Sequence, residues 1–183
     1  MIAAFTPAWD TARAAGITAL VLSGLTVATG VMFASRWLTG GGRNAVLRAV
    51  HEGVALATLA AVAVHGLALV ADPWLKASAT DLLVPFSSPY RPAAVALGQI
   101  AAYGLLALGP TYYLRRHLGL TGWKRAHRFI AGFWALAVVH ALTAGTDASA
   151  TWFLAATLPV VGAAALLVLS RTAAAPASAR PRS

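Results

Sequence analysis

Five long apolar blocks constrain what this chain can fold into. A helix needs about 20 apolar residues to cross the hydrocarbon core of a bilayer. With 59% hydrophobic and only 10% charged residues, the composition is that of a membrane protein. We therefore predict an all-α integral membrane bundle of five transmembrane helices. The predicted spans are Ala14–Ser35, Ala45–Val70, Pro92–Leu114, Phe129–Leu142 with its flanks, and Thr151–Ser170.

Little sequence lies outside these spans. We predict that residues 1–12 form an external N-terminal stub, residues 13–171 one transmembrane domain, and residues 172–183 a disordered cytoplasmic tail. The longest connection, Ala71–Arg91, is rich in Pro, Ser and aromatic residues, and we expect it to form an ordered external cap. Because no connection is long enough for a soluble catalytic domain, we expect any soluble chemistry to come from a partner.

The basic residues are distributed unevenly between the connections. Eleven of the 14 Lys and Arg residues lie in the first turn, the third turn and the tail, whereas Arg13, Lys76 and Arg91 lie on the other side. By the positive-inside rule the basic side is cytoplasmic, with the N-terminus outside and the C-terminus inside. The net charge of +9 then reflects topology and lipid contact, and no nucleic-acid partner is predicted. In this topology the second and fourth helices run parallel.

Four of the five histidines lie in these two parallel helices, at 51 and 65 and at 127 and 140. His51 and His65 are fourteen residues apart, so they lie within about 40° of one face and about 21 Å apart along the axis. His127 and His140 are thirteen apart, a rise of about 19.5 Å. We therefore predict two facing pairs, His51 with His127 near the cytoplasm and His65 with His140 near the outside.

The thirteen-residue spacing fits less well than the fourteen-residue one. Thirteen ideal helical steps leave the second side chain about 140° away from the first. We expect tighter winding, a bend near Gly132 or different side-chain rotamers to correct the direction.

Paired neutral imidazoles suit one kind of cofactor in particular. Two of them fill both axial positions of a haem iron, which leaves no open position for a substrate. The chain has no cysteine, which excludes covalent attachment through a CxxCH motif and thiolate-ligated iron–sulfur clusters. We predict two non-covalent haem b groups with His51, His65, His127 and His140 as the axial iron ligands, and no catalytic residue.

Charged residues beside the inner pair have predicted roles as well. Arg48 and Arg128 lie within a turn of the inner histidines, so we predict that they bind the anionic propionates of the cofactor. Glu52 is expected to pair with a loop arginine, and His117, in a basic turn, is expected to face solvent.

The two histidine motifs also carry a family resemblance. They read LRAVHEGVALATLAAVAVHGLAL, with thirteen residues between its histidines, and HRFIAGFWALAVVHALTAGTD, with twelve. This unequal pair of spacings resembles the ferric reductase-like transmembrane domain family, which includes ferric reductases, NADPH oxidases and the haem subunits of bacterial methionine sulfoxide reductase systems. The resemblance covers roughly residues 43–147.

The resemblance implies that residues 13–171 form a ferric reductase-like transmembrane haem domain. The alanine-rich composition is typical of a bacterial protein, so we expect a bacterial inner membrane. Electrons would pass from a cytoplasmic-side donor to an external acceptor through the two haem sites that the four histidines ligate. Oxidases of this family append flavin and nicotinamide domains after the last helix, and this sequence shows none. The resemblance therefore implies an electron-transfer component of an oxidoreductase, with a separate flavoprotein reductase or a membrane quinol as its donor.

Two alternatives remain open at this point. One is a non-redox membrane channel or scaffold whose histidines sense pH or bind a metal ion. The other keeps the haem but gives the protein a sensing or transport role.

Overall fold

The computed structural model describes residues 6–35 and 42–173. These residues contain helices and no strands, and five helices are long and apolar enough to cross a membrane. The model confirms the predicted all-α bundle of five spans. Arg36, Arg180, Arg182 and all of the predicted tail from residue 174 onward lie outside the described residues. The orientation of the termini remains a prediction.

Some of the five spans are built from more than one helical element. The fourth span is α6 and α7 separated by Arg128 and Phe129, and the third span is α4 extended by a 3-10 turn. A short helix, α3, lies in the longest connection. The elements are α1 (Pro7–Ala34), α2 (Arg43–Ala71), α3 (Ala79–Leu83), α4 (Pro92–Leu108), the 3-10 turn Pro110–Tyr112, α5 (Arg115–Leu118), α6 (Leu120–His127), α7 (Ile130–Ala144) and α8 (Thr151–Ala173).

Helix α1 begins at Pro7, earlier than the predicted span. The hydroxyl of Thr6 accepts the backbone N–H of Trp9 at 3.0 Å, and Pro7 occupies the first helical position, where its missing N–H costs nothing. The same Thr6 hydroxyl donates to the carboxylate of Asp72, the residue that ends α2. The start of α1 and the end of α2 are thus tied together at one end of the bundle.

The helices pack in two neighbouring groups. Helix α1 packs along α2 and α8, and α4 packs along α7, whereas α2 and α7 do not pack along each other. A buried cluster of Val27, Trp134 and Ala164 joins α1, α7 and α8. Helix α2 is therefore held by α1, and α7 in the fourth span is held by α4 and α1.

The long connection between α2 and α4 covers the end of α2. Helix α3 starts with a capping box in which Ser78 and Asp81 exchange hydrogen bonds. The side-chain nitrogen of Gln99, a buried residue of α4, donates to the carbonyl oxygens of Asp81 and Leu82 at 2.8 and 2.9 Å. Leu82 in turn contacts Gly66, the neighbour of His65.

We predict that the Asp72 cap makes stability depend on pH at the acid end. Besides the Thr6 hydroxyl, the carboxylate accepts the backbone N–H groups of Leu75 and Trp74 at 2.7 and 3.0 Å. These bonds hold the pKa of the Asp72 carboxyl below its ordinary value of 3.8. The stabilisation is therefore complete above that ordinary value and is lost as pH falls through the lower folded-state value.

Thermal unfolding in detergent between neutral pH and pH 3 measures this effect. Asp72→Asn should lower the unfolding temperature at neutral pH and flatten its fall towards acid. Asp10→Asn serves as the control, because Asp10 is an exposed residue whose nearest cation is 3.7 Å away. An Asp72→Asn curve that runs parallel to the wild-type curve would contradict the prediction.

Candidate functional site

The four predicted histidines meet as two pairs. The ring centroids of His51 and His127 are 6.3 Å apart, with ring planes at 74° to each other. The centroids of His65 and His140 are 6.5 Å apart, with ring planes at 73°. All four side chains are only partly exposed. We name these the basic-end pair (His51 and His127) and the loop-end pair (His65 and His140).

The separation within each pair is that of two imidazoles on one metal atom. A metal–imidazole bond is about 2 Å long, so two rings on opposite sides of a metal have centroids about 6 Å apart. Among the described residues no group of three or more His, Asp or Glu side chains could hold a metal ion. Two protein ligands at each level suit a metal whose other ligands belong to a macrocycle.

Backbone carbonyl groups orient three of the four rings. In each case Nδ1 is the donor, so Nε2 keeps its lone pair for a metal, as in most metal-bound histidines. The acceptors belong to the neighbouring helices α1 and α4. The bonds join His51 to Thr26 (3.0 Å), His65 to Ala12 (2.7 Å) and His140 to Ala94 (2.8 Å).

A glycine lies one helical turn after each accepting carbonyl, and we call each carbonyl and its glycine a cradle. The Cβ of an α-helical residue tilts towards the N-terminus, so a Cβ at position i+4 would lie beside the carbonyl of position i. A Cβ on Gly98 would lie 2.6 Å from Nδ1 of His140. On Gly16 or Gly30 it would lie 3.0 Å from the ring of His65 or His51. Glycine therefore lets each imidazole reach its carbonyl.

The cradles repeat with the spacing of the histidines that they hold. Ala12 and Thr26 are fourteen residues apart on α1, as are Gly16 and Gly30, and His51 and His65 are fourteen apart on α2. Helix α1, which runs antiparallel to α2, thus carries its cradles at the same interval as α2 carries its histidines. Sequence reasoning missed these residues, although glycines at the spacing of the histidines were the signal.

The fourth cradle is incomplete. Fourteen residues after Ala94 stands Leu108, the last residue of α4, and no glycine follows it one turn later. Nδ1 of His127 is buried and has no hydrogen-bond partner among the described residues. The backbone of Leu108 is close enough to act on this ring, but the two form no hydrogen bond of normal geometry. The hydroxyl of Thr111 donates to the Leu108 carbonyl instead.

A break in the fourth span turns His127 and His140 part of the way towards the same side. His127 ends α6, and α7 begins at Ile130. The N–H of Phe129 donates to Ala126 at 3.1 Å and that of Gly132 to Phe129 at 3.0 Å, both over three residues. Such 3-10 winding turns each residue about 20° further than an α-helix does. The expected tighter winding is present, and the break lies at residues 128 and 129 rather than at Gly132.

An aromatic cluster surrounds His127 at the basic end. The ring of Trp123 lies 5.1 Å from that of His127, and the ring of Tyr112 lies 5.8 Å from that of Trp123. The guanidinium of Arg115 lies 3.9 Å above Tyr112. Nε1 of Trp123 is buried and has no partner among the described residues. Trp123 stands one helical turn before His127, so its position on the same face could have been predicted.

Four further residues had a predicted role or environment, and they differ in exposure and in partners: Arg48, Arg128, Glu52 and His117. Arg48 is exposed, with its guanidinium 5.8 Å from the centroid of the Phe33 ring, and Arg128 is exposed in the break. Their role towards a propionate remains a prediction. The carboxylate of Glu52 accepts the hydroxyl of Tyr113, and no arginine in the described part of the chain pairs with it. His117 is exposed, as expected.

Comparison of the chain with protein-family models, with curated proteins and with solved structures found no match in any of the three. The resemblance to the ferric reductase-like family therefore depends on the two histidine motifs and remains a prediction.

We predict that Gly98→Ala destabilises the bundle. The added Cβ would overlap three ring atoms of His140, all within 2.7 Å, and overpacking of this kind costs about 1–3 kcal/mol. Gly132→Ala is the matched control on α7, because its Cβ meets no atom within 4 Å and alanine is the better helix former. Equilibrium unfolding in mixed micelles measures both. Equal stabilities of the two variants would contradict the cradle.

Proposed function

We propose that this chain is a membrane cytochrome b that binds two haem b groups between α2 and the fourth span and carries electrons across the bilayer. The observation that supports it best is the presence of two imidazole pairs, with centroids 6.3 and 6.5 Å apart. Three of the four rings have Nδ1 bonded to a carbonyl, which leaves Nε2 as the free nitrogen at each of these positions.

The pairs define what kind of chemistry the chain supports. Bound haem would supply a one-electron redox centre. Two imidazoles on the same iron occupy both axial positions, so oxygen or a substrate has no ligand position to enter. The carbonyl bonds fix the tautomer and the ring direction before the cofactor arrives. Such a site carries electrons and leaves the substrate-specific step to a partner.

The two levels are spaced to cross most of a membrane. His51 and His65 are separated by about 21 Å along α2, and the hydrocarbon core of a bilayer is about 30 Å thick. An electron that enters at the basic-end pair would leave from the loop-end pair. With the basic end in the cytoplasm, the donor would be a flavoprotein reductase or a membrane quinol, and the acceptor would be external.

The wider setting of the proposal is an oxidoreductase system in a bacterial inner membrane. The five apolar helices make the chain a multi-pass membrane protein. We assign it as the membrane component of a ferric reductase-like system, with flavin or quinol supplied only by a partner. A haem sensor or transporter would need an exchangeable ligand, and His127 is the paired histidine whose Nδ1 has no partner within residues 6–35 and 42–173.

We predict a six-coordinate, low-spin b-type optical spectrum with about two haems per chain. His65→Ala and His127→Ala should each remove one axial ligand and lower the haem content by about half. His117→Ala is the control, because this exposed histidine belongs to neither pair. The measurement is the oxidised and dithionite-reduced spectrum with a haem-to-protein ratio. A colourless wild-type protein, expressed with ample haem, would favour a channel or scaffold.

We also predict that Arg128→Gln weakens haem retention at the basic end. A charge-assisted bond to a propionate contributes roughly 1.5–3 kcal/mol, so the dissociation rate should rise by about tenfold or more. Transfer of haem to excess apomyoglobin measures that rate. Lys124→Gln is the control, since Lys124 is another exposed cation of the same segment. Equal rates in the two variants would remove Arg128 from the site.

A further inference from the structure

We infer that the two sites are unequal and that the basic-end pair holds the iron of higher reduction potential. This inference rests on the proposed function. It follows from the hydrogen bonds of the four imidazoles, three of which have a carbonyl acceptor for Nδ1 while the fourth, His127, has none among the residues that the structure describes.

The hydrogen bond at Nδ1 decides how strongly an imidazole donates to a metal. A ring whose N–H is bonded to a carbonyl is more basic at its other nitrogen. A more basic ligand stabilises ferric over ferrous iron and so lowers the reduction potential. Both members of the loop-end pair have such a bond, from His65 to Ala12 and from His140 to Ala94. In the basic-end pair only His51 has one.

The end of α4 explains why His127 lacks an acceptor. By the fourteen-residue spacing the carbonyl of Leu108 is the one that would serve it. Helix α4 ends at Leu108, and the chain continues into the 3-10 turn Pro110–Tyr112. In this turn the hydroxyl of Thr111 donates to the Leu108 carbonyl. Thr111 therefore acts as a positioning residue that fixes the direction of this carbonyl.

No other described group compensates for the missing acceptor. The nearest aromatic neighbour of His127 is Trp123, whose Nε1 is itself a buried donor without a partner. An indole N–H is a donor and cannot accept the Nδ1 proton of His127, so Trp123 does not increase the basicity of this imidazole. The basic-end site differs from the loop-end site by one complete hydrogen bond.

Optical redox titration of the full-length protein in nanodiscs tests this inequality. The wild type should show two components of different midpoint potential. His127→Ala should lose the component of higher potential, and His140→Ala should lose the component of lower potential. The opposite assignment, or a single midpoint for two bound haems, would overturn the inference and leave the proposed function standing. A protein without haem would end both.

A conservative variant tests the part played by Thr111. Thr111→Val keeps the shape of the side chain and removes the hydroxyl, which leaves the Leu108 carbonyl able to turn towards His127. The higher midpoint alone should move down towards the lower one. Thr157→Val is the control, because this hydroxyl donates to Phe153 within α8, which carries no histidine. A Thr111→Val protein in which the lower midpoint moves, or neither does, would overturn the inference.

Discussion

The bond between an imidazole Nδ1–H and a backbone carbonyl of the neighbouring helix governs the arrangement of this bundle. A helical carbonyl already accepts one N–H, and the Cβ one turn ahead shields its second lone pair. Glycine at that position opens it, as Gly16, Gly30 and Gly98 do. An imidazole buried in an apolar bundle needs such a partner, since an unsatisfied donor there costs free energy. Each histidine must therefore lie at the same level of the bundle as a carbonyl and its glycine on the neighbouring helix.

Register explains why the bundle consists of two similar antiparallel helix pairs. Helix α1 presents carbonyls fourteen residues apart to α2, and α4 presents Ala94 and Leu108 at the same spacing to the fourth span. Helices α1 and α4 hold three of the four rings through hydrogen bonds to these carbonyls. Helices α2 and α7 do not pack along each other, and the two imidazole pairs meet between α2 and the fourth span. A planar cofactor would bind in that place.

The sequence predicted the five spans and the four histidines that meet, because apolar length and helical periodicity are local properties. It did not predict the cradle glycines on α1 and α4, since their role depends on which helices become neighbours. The thirteen-residue spacing from His127 to His140 signalled an irregular helix, yet the place of the break at residues 128 and 129 depends on local backbone hydrogen bonds. The hydrogen bond from Tyr113 to Glu52 was not predicted for a related reason, because Tyr113 reaches the carboxylate from a turn whose path the sequence does not determine.

The central claim is that each histidine pair closes on one iron atom. Electron paramagnetic resonance of the oxidised protein, produced with ¹⁵N-labelled histidine, tests it most directly. The account predicts that all of the iron is low-spin and that each iron couples to two imidazole nitrogens. High-spin ferric iron as the main species, or coupling to a single imidazole nitrogen, would show that the pairs do not act as joint ligands and would contradict the account.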